Sequence, residues 1–139
     1  MNDQFCRKIR QIPELRFSDI VEASWPCVPE EYYDCPWKYF HRNEDPNDRG
    51  RRPIVDDVGI MCYLAAYGDI HQRKLKIAFQ EMLYRVQLPE RINIVDWGCG
   101  QGLASMCLID YLRNEGLHVD ISKIILIEPS KCALNRAVE

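Results

Sequence analysis

No apolar run in this sequence approaches the roughly 20 residues that a membrane-spanning helix requires. The opening stretch, MNDQFCRKIRQIPEL, lacks the apolar core of a secretory signal. There is no CxxC pair, and the seven cysteines are an odd number, which argues against a disulfide framework and fits a reducing compartment. The chain is therefore expected to be cytoplasmic, with no membrane partner. Excess positive charge is also missing: 18 Lys and Arg against 21 Asp and Glu leave a net charge of -3. Nonspecific nucleic-acid affinity comes from clustered Lys and Arg, so a dominant phosphate-binding surface is not expected. Internal repeats and low-complexity tracts are absent as well. What is present, in 139 residues of which 47% are hydrophobic and 28% charged, is the balance of an ordinary one-domain globular protein.

Composition divides the chain into three stretches. Residues 1–56 hold six of the eight prolines together with Trp25, Trp37 and the Tyr32/Tyr33 pair. Proline blocks long helices, so this stretch is expected to be irregular and pinned by aromatics. Its polar end, NEDPNDRGRRP, carries Arg49, Arg51 and Arg52, which would contact a phosphate or simply form a solvated loop with Asp45 and Asp48. Cys27, Cys35 and His41 would supply three ligands to a zinc ion, but their spacing matches no common zinc pattern, and simple packing is the expectation. No metal is assigned.

Residues 57–90 read as helical. Ile60, Leu64 and Tyr67 recur at helical spacing until Gly68, which is expected to interrupt the helix. Asp69 with Gln72 three residues on forms a candidate capping box for a second helix. Leu75, Ala78, Phe79, Met82 and Val86 would be its buried face, and Pro89 would end it. His71, near that expected helix start, is read as a surface or capping residue.

Residues 91–139 alternate between strand and helix. INIVD (Ile92 to Asp96) is a short β-branched run, a glycine loop follows, and LASMCLIDYLRNEG forms a helix closing at Gly116. KIILIE (Lys123 to Glu128) is continuously apolar, the pattern of a strand buried in a parallel sheet. Ser130 then caps a helix in which Ala133, Leu134, Ala137 and Val138 repeat on one side. The predicted fold class is α/β: the β-α-β-α start of a Rossmann-like parallel sheet, behind a helical and irregular N-terminal region.

In such a unit the strand-to-helix turn faces a ligand crevice beyond the carboxyl ends of the strands. Gly98 and Gly100 would permit unusual backbone angles and close approach, and Gly102 would let the helix begin near the ligand. The charge of the ligand separates two cofactor classes. A dinucleotide lays its pyrophosphate over this turn and favours GxGxxG, whereas here the third glycine position of that pattern is Leu103, and Asp96 repels phosphate. S-adenosylmethionine carries an ammonium and a sulfonium and no phosphate, so Asp96 suits it, directly or through water. The cofactor's own carboxylate would use the helix N-terminus. Glu128, at the tip of the second strand, would accept hydrogen bonds from ribose hydroxyls in either cofactor.

VDWGCGQG followed by LIEPS resembles motifs I and II of the class I S-adenosylmethionine-dependent methyltransferases, whose glycine loop has the form (D/E)xGxGxG. The resemblance covers residues 92–139. It implies a transferase with a cofactor site at Asp96, Gly98, Cys99, Gly100, Gly102 and Glu128. The helical lead-in is similar to that of some bacterial and rRNA-type methyltransferases, in which Tyr67 would line the adenosine pocket; a core tyrosine is the plainer reading. Methyl transfer would proceed by in-line displacement at sulfonium, with the protein supplying position and electrostatics.

The family core continues through further strands, which carry its substrate-side residues. The chain is accordingly expected to be a truncated N-terminal part of such a fold, inactive alone and prone to self-association through uncovered strands. Catalytic residues and the methyl acceptor, an RNA or a protein among the candidates, are unassigned. Two alternatives stand beside this reading: a nonenzymatic half-domain completed by a partner chain, and an NAD-dependent dehydrogenase fragment.

Overall fold

A computed structural model describes residues 3–41 and 53–138. Arg49, Arg51 and Arg52 lie outside them. The chain order is α1 (Asp3–Ile9), α2 (Phe17–Ser24), a 3-10 turn (Trp25–Cys27), α3 (Glu30–Tyr33), α4 (Lys38–His41), α5 (Asp57–Arg85), β1 (Arg91–Trp97), α6 (Leu103–Asn114), β2 (Asp120–Ile127) and α7 (Lys131–Ala137). The fold is thus mixed α and β, with one two-stranded parallel sheet and a helical N-terminal region. None of the described helices is long and apolar enough to cross a membrane.

The N-terminal stretch corrects the expectation of irregular structure. Its prolines punctuate short helices: Pro26 lies in the first turn of the 3-10 segment, and Pro29 is the residue before α3. A first turn has no intrahelical use for the missing N–H, so proline starts these helices where it would break longer ones. Phe5, Phe17 and Val21 from α1 and α2 form one buried cluster with Ile60, Met61 and Leu64 of α5. Leu103 and Cys107 of α6 and Ala133 of α7 extend that cluster toward the sheet. Four cysteines are buried, and the Cys107 thiol is pushed up to about 12 chiefly by that burial.

Helix α5 runs unbroken through Gly68 for 29 residues, which overturns the expected break and removes Asp69 as a helix start. The glycine is there for packing. A Cβ on Gly68 would lie 2.6 Å from Cγ2 of Val21, so the bare backbone is what lets α2 cross α5. The true start of α5 is capped by Asp56, which accepts from the Gly59 N–H at 2.7 Å and from the Tyr39 hydroxyl. The expected apolar face of the helix is only partly covered. Leu75, Phe79 and Met82 are half-buried, with Phe79 against Tyr111 of α6, whereas Ala78 and Val86 are exposed and the helix ends at Arg85, before Pro89.

The strands pair in parallel, Val95 beside Ile125 and Trp97 beside Ile127. Helix α6 packs against β1 and helix α7 against β2. Val95, Trp97 and Ile125, which share one face of the sheet by register and alternation, are exposed, Trp97 by 76%. Helix α6 closes with a Schellman arrangement: Leu117 N–H donates to the Leu112 carbonyl at 2.9 Å, and Gly116 takes the required left-handed conformation.

The Gly68 contact yields a test. In a helix interior, Gly to Ala ordinarily stabilises by about 1 kcal/mol. Here the added methyl meets a β-branched side chain that is stiff about χ1, and overpacking costs about 1–3 kcal/mol. Gly68→Ala should therefore destabilise in urea unfolding, and Val21→Ala placed on top of it should recover part of the loss.

Candidate functional site

The carboxyl ends of β1 and β2 meet at the glycine loop, and most of the predicted site residues converge there. Gly98, Gly100 and Gly102 all have positive φ, at 63°, 54° and 76°. A side chain would be strained at each of them. Among the described residues, the glycine's two chain neighbours apart, a Cβ on Gly98 or Gly100 would meet no atom within 4 Å. The space over the first two glycines is open, so neighbouring packing does not explain why they are bare. Gly102 differs: it precedes α6, and a Cβ on it would stand 3.4 Å from that of Ala137 in α7, so it serves helix packing as well as the turn.

The loop is tied to β2 through the backbone. The Gly98 and Cys99 N–H groups both donate to the Ile127 carbonyl, at 2.7 and 3.1 Å. Glu128 completes the link, its Oε2 accepting from the Gly100 N–H at 2.9 Å and its Oε1 from the Ser130 N–H at 2.8 Å. The carboxylate therefore sits at the strand tip as the sequence suggests, held in place by two amides. Each oxygen retains a further lone pair with which to accept a ligand hydroxyl.

Asp96 is buried beneath the loop, and Oδ2 accepts from both the N–H and the hydroxyl of Ser105, at 3.2 and 2.7 Å. Its first role is thus to cap helix α6 with a full negative charge, where the helix dipole favours one. Two acids consequently bracket the glycines. Their field is registered by the Cys99 thiol between them, which is raised by burial first and then by Asp96 and Glu128. Cys99 is a buried thiol, unsuited to nucleophilic work.

Tyr67 is not brought to the loop by any hydrogen bond. Its ring contacts are with Phe40 and Tyr63, in an aromatic cluster on the α4–α5 side of the molecule. His71 joins that cluster, stacked on Tyr63 and sharing a 2.9 Å hydrogen bond between Nε2 and the Tyr63 hydroxyl. It is a half-buried residue in mid-helix, away from any helix start. Burial, with Lys74 nearby, holds its pKa below 6.5.

Three contributors escaped the sequence reading. Ser105 is the Asp96 partner, three residues into a helix where a Ser is unremarkable. Asp110 accepts from the Phe17 N–H at 2.7 Å and so caps α2 from α6. Gln101, inside the glycine loop, donates to the Ile60 carbonyl of α5 at 3.3 Å, and its Oε1 is buried with no hydrogen-bond partner among the described residues. No local signal marks these pairs, because the partners lie 9, 93 and 41 residues apart. Among the described residues no group of three His, Cys, Asp or Glu is arranged to hold a metal; Cys27 donates to the Ala23 carbonyl and His41 packs on Trp37.

The chain matches no protein-family model, no curated protein and no solved structure.

Two measurements follow from this geometry. Ser105→Ala removes a buried hydrogen bond to a charged acceptor and should cost about 1–3 kcal/mol in urea unfolding. For His71, the folded pKa lies below the unfolded value, so the unfolded chain takes up the proton first. The stability associated with the neutral imidazole is full above about 6.5 and is lost as pH falls through and below that value. The drop in unfolding free energy from neutral to mildly acidic pH should be smaller in His71→Gln than in the parent chain.

Proposed function

We propose that residues 91–138 form the S-adenosylmethionine-binding part of a class I methyltransferase with a Rossmann-like sheet, transferring a methyl group to an acceptor whose identity is open. The observation that carries this reading is the pair Gly98 and Gly100. Both hold positive φ with empty space where a side chain would stand, at the carboxyl end of a parallel strand and beside an acid at the tip of its neighbour. Positive φ with open space also marks Gly116 at the end of α6, so it is the position of Gly98 and Gly100 at the strand ends beside Glu128 that favours a ligand over the bare backbone.

The charge around the loop favours the methyl donor over a dinucleotide. Asp96 occupies the start of α6, so that end serves neither a pyrophosphate nor, as the sequence led us to expect, the cofactor's own carboxylate, and Asp96 and Glu128 together place two acids beside the loop. An ammonium and a sulfonium are attracted by that field. A pyrophosphate is repelled. Asp96 Oδ1 takes no bond from the described protein and suits the methionine ammonium, directly or through water, while Glu128 suits the ribose hydroxyls. Bound there, S-adenosylmethionine would supply the electrophilic methyl, and the chain's own residues would orient it.

A nonenzymatic half-domain is the second reading, and the exposed Val95, Trp97 and Ile125 favour it, since a partner would be needed to cover that sheet face. Binding separates the two readings. Titration calorimetry of the chain with S-adenosylmethionine should give saturable binding that Gly100→Val abolishes. The variant should keep its circular dichroism, because the added side chain meets open space and its cost is confined to an unfavourable φ. Asp96→Asn should weaken the same binding by about 1–3 kcal/mol, the range for a lost charged hydrogen bond. Tighter NAD binding in Asp96→Asn, with no S-adenosylmethionine binding in either protein, would favour the dehydrogenase reading instead. Undiminished affinity in Gly100→Val would show that the cofactor does not lie over this turn.

A further inference from the structure

The second half of α5 carries a row of apolar side chains that its own fold does not cover. Ile70, Ile77 and Tyr84 are exposed by 48%, 62% and 90%. They are spaced seven residues apart, close to two helical turns, so they fall on one line along the helix. A line at this interval supplies one of the two positions of a heptad seam, the other being held here by the polar Arg73 and Gln80.

We propose that this row is a self-association surface, pairing antiparallel with the same row of a second copy of the chain, with the two Ile77 side chains on the twofold axis. The charges beside the row select both the partner and the direction. Lys74 and Glu81 each lie four residues after a row residue, and hence on the same flank of the helix. Antiparallel pairing about Ile77 sets Lys74 of one copy beside Glu81 of the other, and the symmetry repeats that pair. Arg73 and Gln80 lie on the opposite flank, each three residues after a row residue, so the same arrangement sets a cation beside a neutral amide. Parallel pairing would instead bring Arg73 against its own copy. The row is therefore self-complementary in one direction only. Glu81 is already near Arg85 at 3.5 Å, but both side chains are largely exposed and the contact is weak enough to be shared.

This surface is separate from the sheet face of Val95, Trp97 and Ile125 and does not rest on the cofactor reading. Size-exclusion chromatography with light scattering, over a dilution series of the purified chain, tests it. The parent chain should be dimeric. Ile77→Glu, at an exposed position and with a good helix former, should keep the parent's helicity and weaken the dimer by about tenfold or more. Glu81→Lys should weaken it by placing Lys74 beside a second cation, and adding Lys74→Glu to that variant should restore it. A chain monomeric throughout the dilution series would overturn the proposal. So would a dimer that Ile77→Glu leaves intact and Val95→Asp, in a folded variant, dissociates, or a charge swap that fails to restore pairing.

Discussion

The first amides of a helix have no partner inside it. In this protein, carboxylates supply that partner at the joints where elements meet. Asp96 of β1 caps α6, Asp110 of α6 caps α2, and Asp56 starts α5 while accepting from Tyr39 of α4. Glu128 holds the Gly100 and Ser130 amides together at the approach to α7. Asp96 and Asp110 are buried. Each bond satisfies an amide that would otherwise be stranded and also fixes where one element begins relative to another. The N-terminal helices, the long α5 and the sheet are joined through these acids as well as through the apolar cluster around Phe5, Phe17, Ile60 and Leu64.

The same constraint shapes the candidate site. An acid that caps a helix removes the positive end on which a phosphate would settle, and an acid that clamps a loop makes the region above the glycines negative. Asp96 and Glu128 thus act on structure, and under the proposed function the same charges would also select the ligand. Gln101 extends the connection, since its bond to the Ile60 carbonyl ties the glycine loop to α5 and through it to the N-terminal layer. The loop has a fixed floor, while the space over Gly98 and Gly100 stays open.

Where the sequence signal is local, it was sufficient. The glycines at 98, 100 and 102, the strand ending at an acid, and Ser130 as a cap whose hydroxyl accepts from the Ala133 N–H are all readable from neighbouring residues. Where the cause is a distant side chain, it was not. Gly68 resembles a helix break because glycine lowers helix propensity, and only the approach of Val21, 47 residues earlier, reveals it as a packing position. The prolines of residues 13–36 signal the absence of long helices correctly, yet Pro26, Pro29 and Pro36 lie at or just before the starts of short ones. The pattern Leu75, Phe79, Met82 has helical period, but period alone does not say how much of the face a partner covers. Tyr67 belongs to an aromatic cluster whose other members come from α4 and from one turn away on α5, a grouping invisible in linear order.

The central claim is that a cationic nucleoside lies over Gly98 and Gly100 between the two acids. Amide-resolved NMR during titration with S-adenosylmethionine tests it most directly, with NAD as the comparison ligand. The account predicts saturable shifts concentrated at the Gly98, Gly100 and Ser130 amides, with the Tyr63–His71 region unmoved and no comparable response to NAD. Shifts at those amides produced by NAD and not by S-adenosylmethionine, or a loop unmoved by either, would contradict it.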